Sequence, residues 1–349
     1  MTHVPIRKKE QINYRKLKSD MAPMTVRFVS LLLGYMLASL YCHAQQGPST
    51  GKRLFQTGFE GSSRVLKLNG TNDHGAPMEY IDGVDTSFSA NSNWRTDWQR
   101  LVKGGRMQVQ YTGGDSTKRF ARVMAEPGNP KNHVLHYWLN DSWAASENQQ
   151  KARIQTNLYG INGGLTELYQ SVRVFLTDDF NALKTYPRAI SWCTISEFWN
   201  NEWWVKGEPY GFRITLGIGK ASGPQNELKF ILNAENAGQK EVWHANSASS
   251  TVAVPIGRWF TMEYYLKEGN RDTGRFYLAI TPDGQPRQVV YDITNFTHNT
   301  TDPSPNGITG YNPMKLYTSK ELVNHVRAQG KTLQVYWDDF TLWTDKQPD

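Results

Sequence analysis

Phe212-Arg-Ile-Thr-Leu-Gly-Ile-Gly219 is the stretch that decides the fold of this chain. Phe212, Leu216 and Ile218 fall on one side of an extended segment, and Arg213 and Thr215 on the other. That period of two is the mark of a half-buried β-strand. It returns at 259–267, where Phe260, Met262, Tyr264 and Leu266 oppose Thr261, Glu263, Tyr265 and Lys267. The turn-rich Glu268-Gly-Asn-Arg-Asp-Thr-Gly274 then leads into Arg275-Phe-Tyr-Leu-Ala-Ile280, which predicts a hairpin. Further strands are expected at 134–139, 153–159, 169–176, 192–198, 228–232 and 333–343. Helical periodicity is scarce, and 320–329 is the best candidate for a short helix. Many one-faced strands divided by Gly, Pro and Asn turns predict an all-β chain: two packed antiparallel sheets in a β-sandwich of jelly-roll type.

The first 44 residues read differently. A basic start precedes an apolar run from Phe28 to Tyr41, with the small residues Cys42 and Ala44 after it, which predicts a secretory signal cleaved before Gln45. The run is short for a membrane span. A lipid anchor on Cys42 is the rival reading, placing the protein on a surface rather than secreted or periplasmic. Residues 1–44 carry seven Lys/Arg and two acids, so 39 − 7 = 32 basic and 32 − 2 = 30 acidic residues remain. Residues 45–349, expected to be a single domain, are therefore near +2, which removes the charge argument for a nucleic-acid partner. Nothing calls for an obligatory protein partner or a required cofactor. Cys193 is then the one cysteine left, and its alternation with Ile195 predicts a buried apolar residue.

Ser191-Trp-Cys-Thr-Ile-Ser-Glu-Phe-Trp-Asn-Asn-Glu-Trp-Trp204 holds four tryptophans, two carboxylates and an Asn pair. Indole faces in such density fill a core or stack on sugar rings, with neighbouring amides and carboxylates taking the hydroxyls. Trp199, Asn200, Trp203 and Trp204 are the candidates here for polysaccharide contact.

Four segments carry a resemblance. Phe55-Gln-Thr-Gly-Phe-Glu60 and Tyr336-Trp-Asp-Asp-Phe-Thr-Leu-Trp343 look like paired first and last strands, with Arg153-Ile-Gln-Thr-Asn-Leu-Tyr159 and Asn312-Pro-Met-Lys-Leu-Tyr-Thr-Ser319 between them. In this order they resemble secreted carbohydrate-active proteins with a concanavalin A-like sandwich of the lectin and glucanase type, especially polysaccharide lyases similar to alginate lyase. The resemblance implies that Tyr317 is a catalytic tyrosine with Lys315 its neighbour, and that 153–159 is the arginine-bearing strand that binds a substrate carboxylate. The chain departs from the alginate-specific pattern where Thr194-Ile-Ser-Glu-Phe198 replaces a Gln-(Ile/Val)-His strand, and where the Arg-Glu-Leu-Arg pattern is absent.

A polyuronate lyase must neutralise a carboxylate, remove the C5 proton and protonate the leaving oxygen. Arg153, Gln155 and Asn157 share one strand face, and Arg173 and His136 are expected to join it. The predicted set is Arg153, Gln155 and Asn157 on the carboxylate, with Tyr317 and His136 moving protons; the expected activity is endo-acting β-elimination. Two other readings stay open. Glu197 and Glu202 supply the two carboxylates that a jelly-roll hydrolase needs. Trp203, Trp204, Trp243, Tyr210 and Trp138, with Asn200, Asn201 and Glu202, would instead make a noncatalytic binding platform. Glu60, Asp338 and Asp339 are candidate oxygen ligands for a structural Ca²⁺ where the first and last strands meet.

Overall fold

The computed structural model describes residues 51–71, 77–112, 117–141, 151–200, 209–223, 226–245 and 250–348. The predicted signal segment lies outside them, as do Asn201, Glu202, Trp203 and Trp204. Among the described residues no helix is long and apolar enough to cross a membrane.

The strands are β1 (Lys52–Thr57), β2 (Arg64–Thr71), β3 (Pro77–Asp82), β4 (Val84–Asp85), β5 (Ser92–Asn93), β6 (Gln108–Thr112), β7 (Arg119–Glu126), β8 (Asn129–Leu139), β9 (Lys151–Tyr159), β10 (Glu167–Leu176), β11 (Cys193–Asn200), β12 (Phe212–Gly219), β13 (Lys229–Asn236), β14 (Lys240–Ala245), β15 (Trp259–Lys267), β16 (Arg275–Pro282), β17 (Gln288–Thr294), β18 (Gly310–Asn312), β19 (Lys315–Ser319) and β20 (Leu333–Thr344). Two short helices, α1 (Trp94–Gln99) and α2 (Lys320–Arg327), accompany them.

An eight-stranded antiparallel sheet runs β17-β16-β15-β10-β20-β8-β7, with β1 paired to β20. A ten-stranded sheet runs β14-β13-β12-β11-β18-β9-β6-β3-β2, and β19 continues the line of β18 between β11 and β9. The sandwich, the β15–β16 hairpin and the pairing of first with last strand all match the sequence expectation.

The inner faces carry the apolar half of each alternating strand. Ile154 and Leu158 of β9, Phe212, Ile214, Leu216 and Ile218 of β12, and Val335, Trp337 and Phe340 of β20 are all buried in one core. Burying a side chain of this size contributes roughly 1.5–3 kcal/mol, which is why the alternation fixes which face turns inward. Cys193 lies in this core, and burial pushes its thiol up to about 12. It is a packing residue.

Consecutive strands repeatedly change sheet. After β9 in the ten-stranded sheet the chain crosses to β10 in the eight-stranded one, then returns at β11. Strands on either side of β9 are therefore not its sheet neighbours, and this corrects two expectations below.

Candidate functional site

The outward face of the ten-stranded sheet, over β9, β18–β19 and β11 to β13, carries the polar cluster. Its geometry depends on two irregularities. Pro313 has no N–H to give to a ladder, so β18 stops at Asn312 and pairing resumes at Lys315. Met314 spans the gap: its carbonyl accepts from the Thr156 N–H (2.9 Å) and the Thr156 hydroxyl (3.1 Å). The register slips by one, so Asn312 and Lys315, three apart, both turn outward beside β9. A second shift on β11, between Thr194 and Ser196, leaves Thr194 beside Tyr317 and Glu197 beside Asn312.

Lys315 and Glu197 form a buried ion pair at the centre. Lys315 Nζ also donates to Asn312 Oδ1 (3.1 Å). Burial lowers the Lys315 amine to about 8, outweighing the attraction of Glu197. Burial alone would raise the Glu197 carboxyl, but Lys315 and Arg213 together hold it below the ordinary value. Arg213 of β12 bridges two carboxylates, Glu197 (3.3 Å) and Glu235 of β13 (2.7 Å).

On the β9 side a net of amides replaces charges. Gln155 Nε2 donates to Asn157 Oδ1 (2.6 Å), Asn312 Nδ2 donates to the same oxygen (2.6 Å), and Asn157 Nδ2 and Tyr159 OH both donate to Gln110 Oε1 (3.0 and 2.9 Å). Trp199 lies on this outward face, edge-on to Tyr159 and directly over Gly310. A Cβ at position 310 would sit 2.7 Å from the indole, so glycine is required there.

Tyr317 is ringed by cations. Its ring centroid lies 5.3 Å from the Arg153 guanidinium, 5.0 Å from Lys315 Nζ and 5.6 Å from Lys151 Nζ. Burial raises its phenol above the ordinary value and Glu197 adds to this, while Arg153 and Arg213 pull it back down. Register explains the grouping: Tyr317 pairs with Arg153, and Lys315 with Gln155. Beside it opens a cavity of about 480 Å³, lined by Lys151, Trp192, Glu197, Arg213, Glu235 and Tyr317 among others. Arg153, Lys151, Lys315 and Arg213 gather here around Tyr317, Glu197 and Glu235. Arg153 Nε, Gln155 Oε1 and Trp199 Nε1 are buried on this face without a hydrogen-bond partner among the described residues. Such orphaned groups are rare and costly unless something else pairs with them.

The structure brings together Tyr317, Arg153, Gln155, Asn157, Lys315, Glu197 and Trp199. It separates others from them. His136 is on β8 in the eight-stranded sheet, bonded to Gln334 (3.0 Å) and packed against Tyr336 and Phe120. Burial lowers its ring to about 4, so it is neutral at pH 7. Arg173 is on β10 in that same sheet, paired with Asp283 (2.6 Å) and lying over Trp259. Both expectations fail because a period of two tells the inner from the outer face without telling which sheet. Asn200 sits beyond Trp199 on β11 and, by alternation, turns to the Phe198 side.

Of the stacking platform, two described members stand apart. Trp138 is on the other sheet, stacked on Phe120, and Trp243 joins the core while donating to the Phe296 carbonyl (2.8 Å). The three carboxylates suggested for Ca²⁺ serve separate partners. Glu60 takes the His133 N–H (2.6 Å) and ring Nδ1 (2.7 Å), Asp338 takes the Asn132 amide (2.9 Å), and Asp339 faces Arg173 at 3.9 Å. Among the described residues no group of three or more His, Cys, Asp or Glu is placed to hold a metal.

Arg213, Glu235 and Trp192 belong to the site and were not singled out in the sequence. Arg213 already stood on the polar side of the deciding strand, and Glu235 faces it across the β12–β13 pair.

No family model and no curated protein matches this chain. Among solved structures it is similar to a marine PL-14 alginate lyase from Aplysia kurodai, at 10% identity and a TM-score of 0.40, over 64% of this chain and 87% of that one. It is also similar to the alginate lyase Aly36B, at 15% identity and a TM-score of 0.41, over 82% of this chain and 98% of that one. An endo-β-1,4-glucuronan lyase from the fungus Trichoderma reesei is similar at 13% identity and a TM-score of 0.41, over 67% and 90% of the two chains. These likenesses concern the sandwich; the chemistry must be argued from this chain's own side chains.

Proposed function

We propose that this protein binds an acidic polysaccharide across the outward face of the ten-stranded sheet and cleaves it within the chain by β-elimination at Tyr317. The observation that carries the reading is the pairing of Arg153 with Tyr317, a cation with an unpartnered buried Nε beside a phenol that lines the cavity. Arg153 takes the uronate carboxylate, with the free Gln155 oxygen accepting from a hydroxyl. Holding the carboxylate makes C5–H more acidic, because charge that develops on the carboxyl group is met by a fixed cation. Tyr317, as phenolate, takes the C5 proton. The electron pair forms the C4=C5 double bond, the C4–O bond breaks, and the same phenol returns its proton to the leaving oxygen. One tyrosine serves both halves of the step, so the reading no longer needs His136. Lys315 does not touch the sugar in this account: it holds Glu197 and keeps a positive charge beneath the Tyr317 ring.

A hydrolase reading would take Glu197 and Glu235 as its carboxylate pair, since both line the cavity. Hydrolysis needs one carboxyl to stay protonated as general acid. Glu197 is held below its ordinary value by Lys315 and Arg213, and Glu235 is tied to the same arginine. That favours elimination.

The test is the release of unsaturated uronate ends by wild type, Arg153→Ala and Tyr317→Phe. Both variants are expected to lose cleavage while keeping the wild-type unfolding midpoint. Full activity in either one would sink the site assignment.

A further inference from the structure

A second cavity, about 340 Å³, adjoins the first and shares Ser191 and Trp192 with it. Tyr186, Arg188, Ile190, Ser319 and Leu322 complete most of its wall. Resting on the lyase reading above, we infer that the substrate groove continues from Tyr317 past the Trp192 indole into this cavity, where Arg188 receives the carboxylate of a further acidic sugar of the same chain.

Three observations carry it. Trp192 meets Tyr317 edge-on, with centroids 4.8 Å apart and planes at 85°, so the indole forms the wall common to both cavities. Its backbone is pinned there, since Thr318 Oγ1 donates to the Trp192 carbonyl (2.8 Å). An indole face between two polar cavities suits the C–H face of a pyranose. Arg188 is exposed, donates to the Tyr186 hydroxyl and lies 5.4 Å from that ring's centroid, which presets its direction. It makes no salt bridge among the described residues. Tyr186 is itself anchored, buried and edge-on to His325. The one carboxylate lining this cavity, Glu321, bonds back to Ser319 and to its own N–H at the start of α2; it feels the Arg188 charge but forms no salt bridge with it among the described residues. Arg153 lies against the Tyr317 ring, Tyr317 against Trp192, and Arg188 lines the second cavity with Trp192, so two aromatic rings connect the two cations. That pattern fits a chain whose successive residues are charged, such as a polyuronate, better than a neutral glycan.

The experiment uses the full-chain protein with oligouronates of increasing length. Arg188→Gln is expected to lower the ratio of kcat/KM for long over short substrates by about tenfold, the equivalent of one charge-assisted hydrogen bond. The change should sit in KM, and Trp192→Phe should lower the same ratio less than Arg188→Gln. The unfolding midpoint of Arg188→Gln should match wild type, because the side chain is exposed. Affinity provides a second measure without turnover: Tyr317→Phe should bind a long oligouronate about tenfold more tightly than Tyr317→Phe/Arg188→Gln. If Arg153→Ala abolishes cleavage while Arg188→Gln leaves the length ratio and the affinity unchanged, the extended groove is wrong and the catalytic reading stands. If wild type neither binds nor cuts any oligouronate, both fall together.

Discussion

The outward faces of the two sheets obey the same period-two rule and end in opposite chemistry. On the ten-stranded sheet the outward residues of β9 and β19 are Arg153, Gln155, Asn157, Lys315 and Tyr317, joined by ion pairs and amide bonds. On the eight-stranded sheet a row of rings crosses five strands: Phe120 and Trp138, then His136, Tyr336, Phe175 and Trp259. Those rings pack on one another by edge and stacked contacts, Trp259 donates to Glu126 (2.6 Å), and His136 meets Gln334 (3.0 Å). The charged face instead leaves Arg153 Nε, Gln155 Oε1 and Trp199 Nε1 unpaired. A face that settles its own polar groups reads as scaffold. One that keeps orphaned polar atoms among charged side chains is built to pair with something else.

The largest expected effect separates the faces by activity. Tyr317→Phe should cut kcat by about 10²–10⁴-fold, the usual range for a lost proton-transfer group. Arg173→Ala on the opposite face should leave kcat within about twofold, and a large loss there would erase the contrast. The pH profile sharpens the same point. Because burial raises the Tyr317 phenol, its ionised fraction is small at neutral pH and grows with pH. Cleavage should therefore keep rising above pH 7, with no plateau from a group titrating near about 6.5, histidine's ordinary value.

Stability gives the next contrast. Lys315→Met removes one of the two cations that hold the buried Glu197 carboxylate, leaving Arg213, and should cost roughly 1.5–3 kcal/mol by denaturant unfolding, with Lys315→Met/Glu197→Gln recovering part of the loss. On the aromatic face the lever is His136. Its pKa falls from 6.5 to about 4 on folding, so the unfolded chain binds the extra proton between those values. Its neutral burial costs stability as pH falls through that window. Asp338, raised by burial to about 7, acts in the opposite direction over an overlapping range, so total stability will mask the effect. The difference between wild type and His136→Phe isolates it: the wild type should lose about 3 kcal/mol relative to the variant between pH 6.5 and 4. A flat difference would contradict the burial of that ring.

The smallest effect tests local packing. Gly310→Ala places a methyl against Trp199 and should cost about 1–3 kcal/mol, with Trp199→Leu relieving most of it in the double variant. Additive losses would mean that the indole does not rest on that glycine.

Strand positions and the inward residues were legible, because alternation at Phe212–Gly219 and 259–267 leaves only one face that can be buried. The grouping of Arg153, Gln155 and Asn157 was legible for the same reason. His136 and Arg173 were misplaced because the chain changes sheet between β8 and β9 and again between β9 and β10, and nothing local to either residue records those crossings. The meeting of Lys315, Asn312 and Glu197 was hidden as well. It depends on bulges at Pro313-Met314 and Thr194–Ser196, and an unbroken strand would turn residues three apart to opposite faces. Glu235 was missed because its importance comes from Arg213 across the ladder, a pairing visible only once register is known.

The most direct measurement incubates the purified protein with a panel of acidic and neutral polysaccharides, following the ultraviolet absorbance of unsaturated uronate and the appearance of reducing ends in parallel. The account predicts that both signals rise together on an acidic glycan and that both vanish in Tyr317→Phe. Reducing ends without ultraviolet absorbance, lost in Glu197→Gln, would contradict it and assign the cavity to hydrolysis.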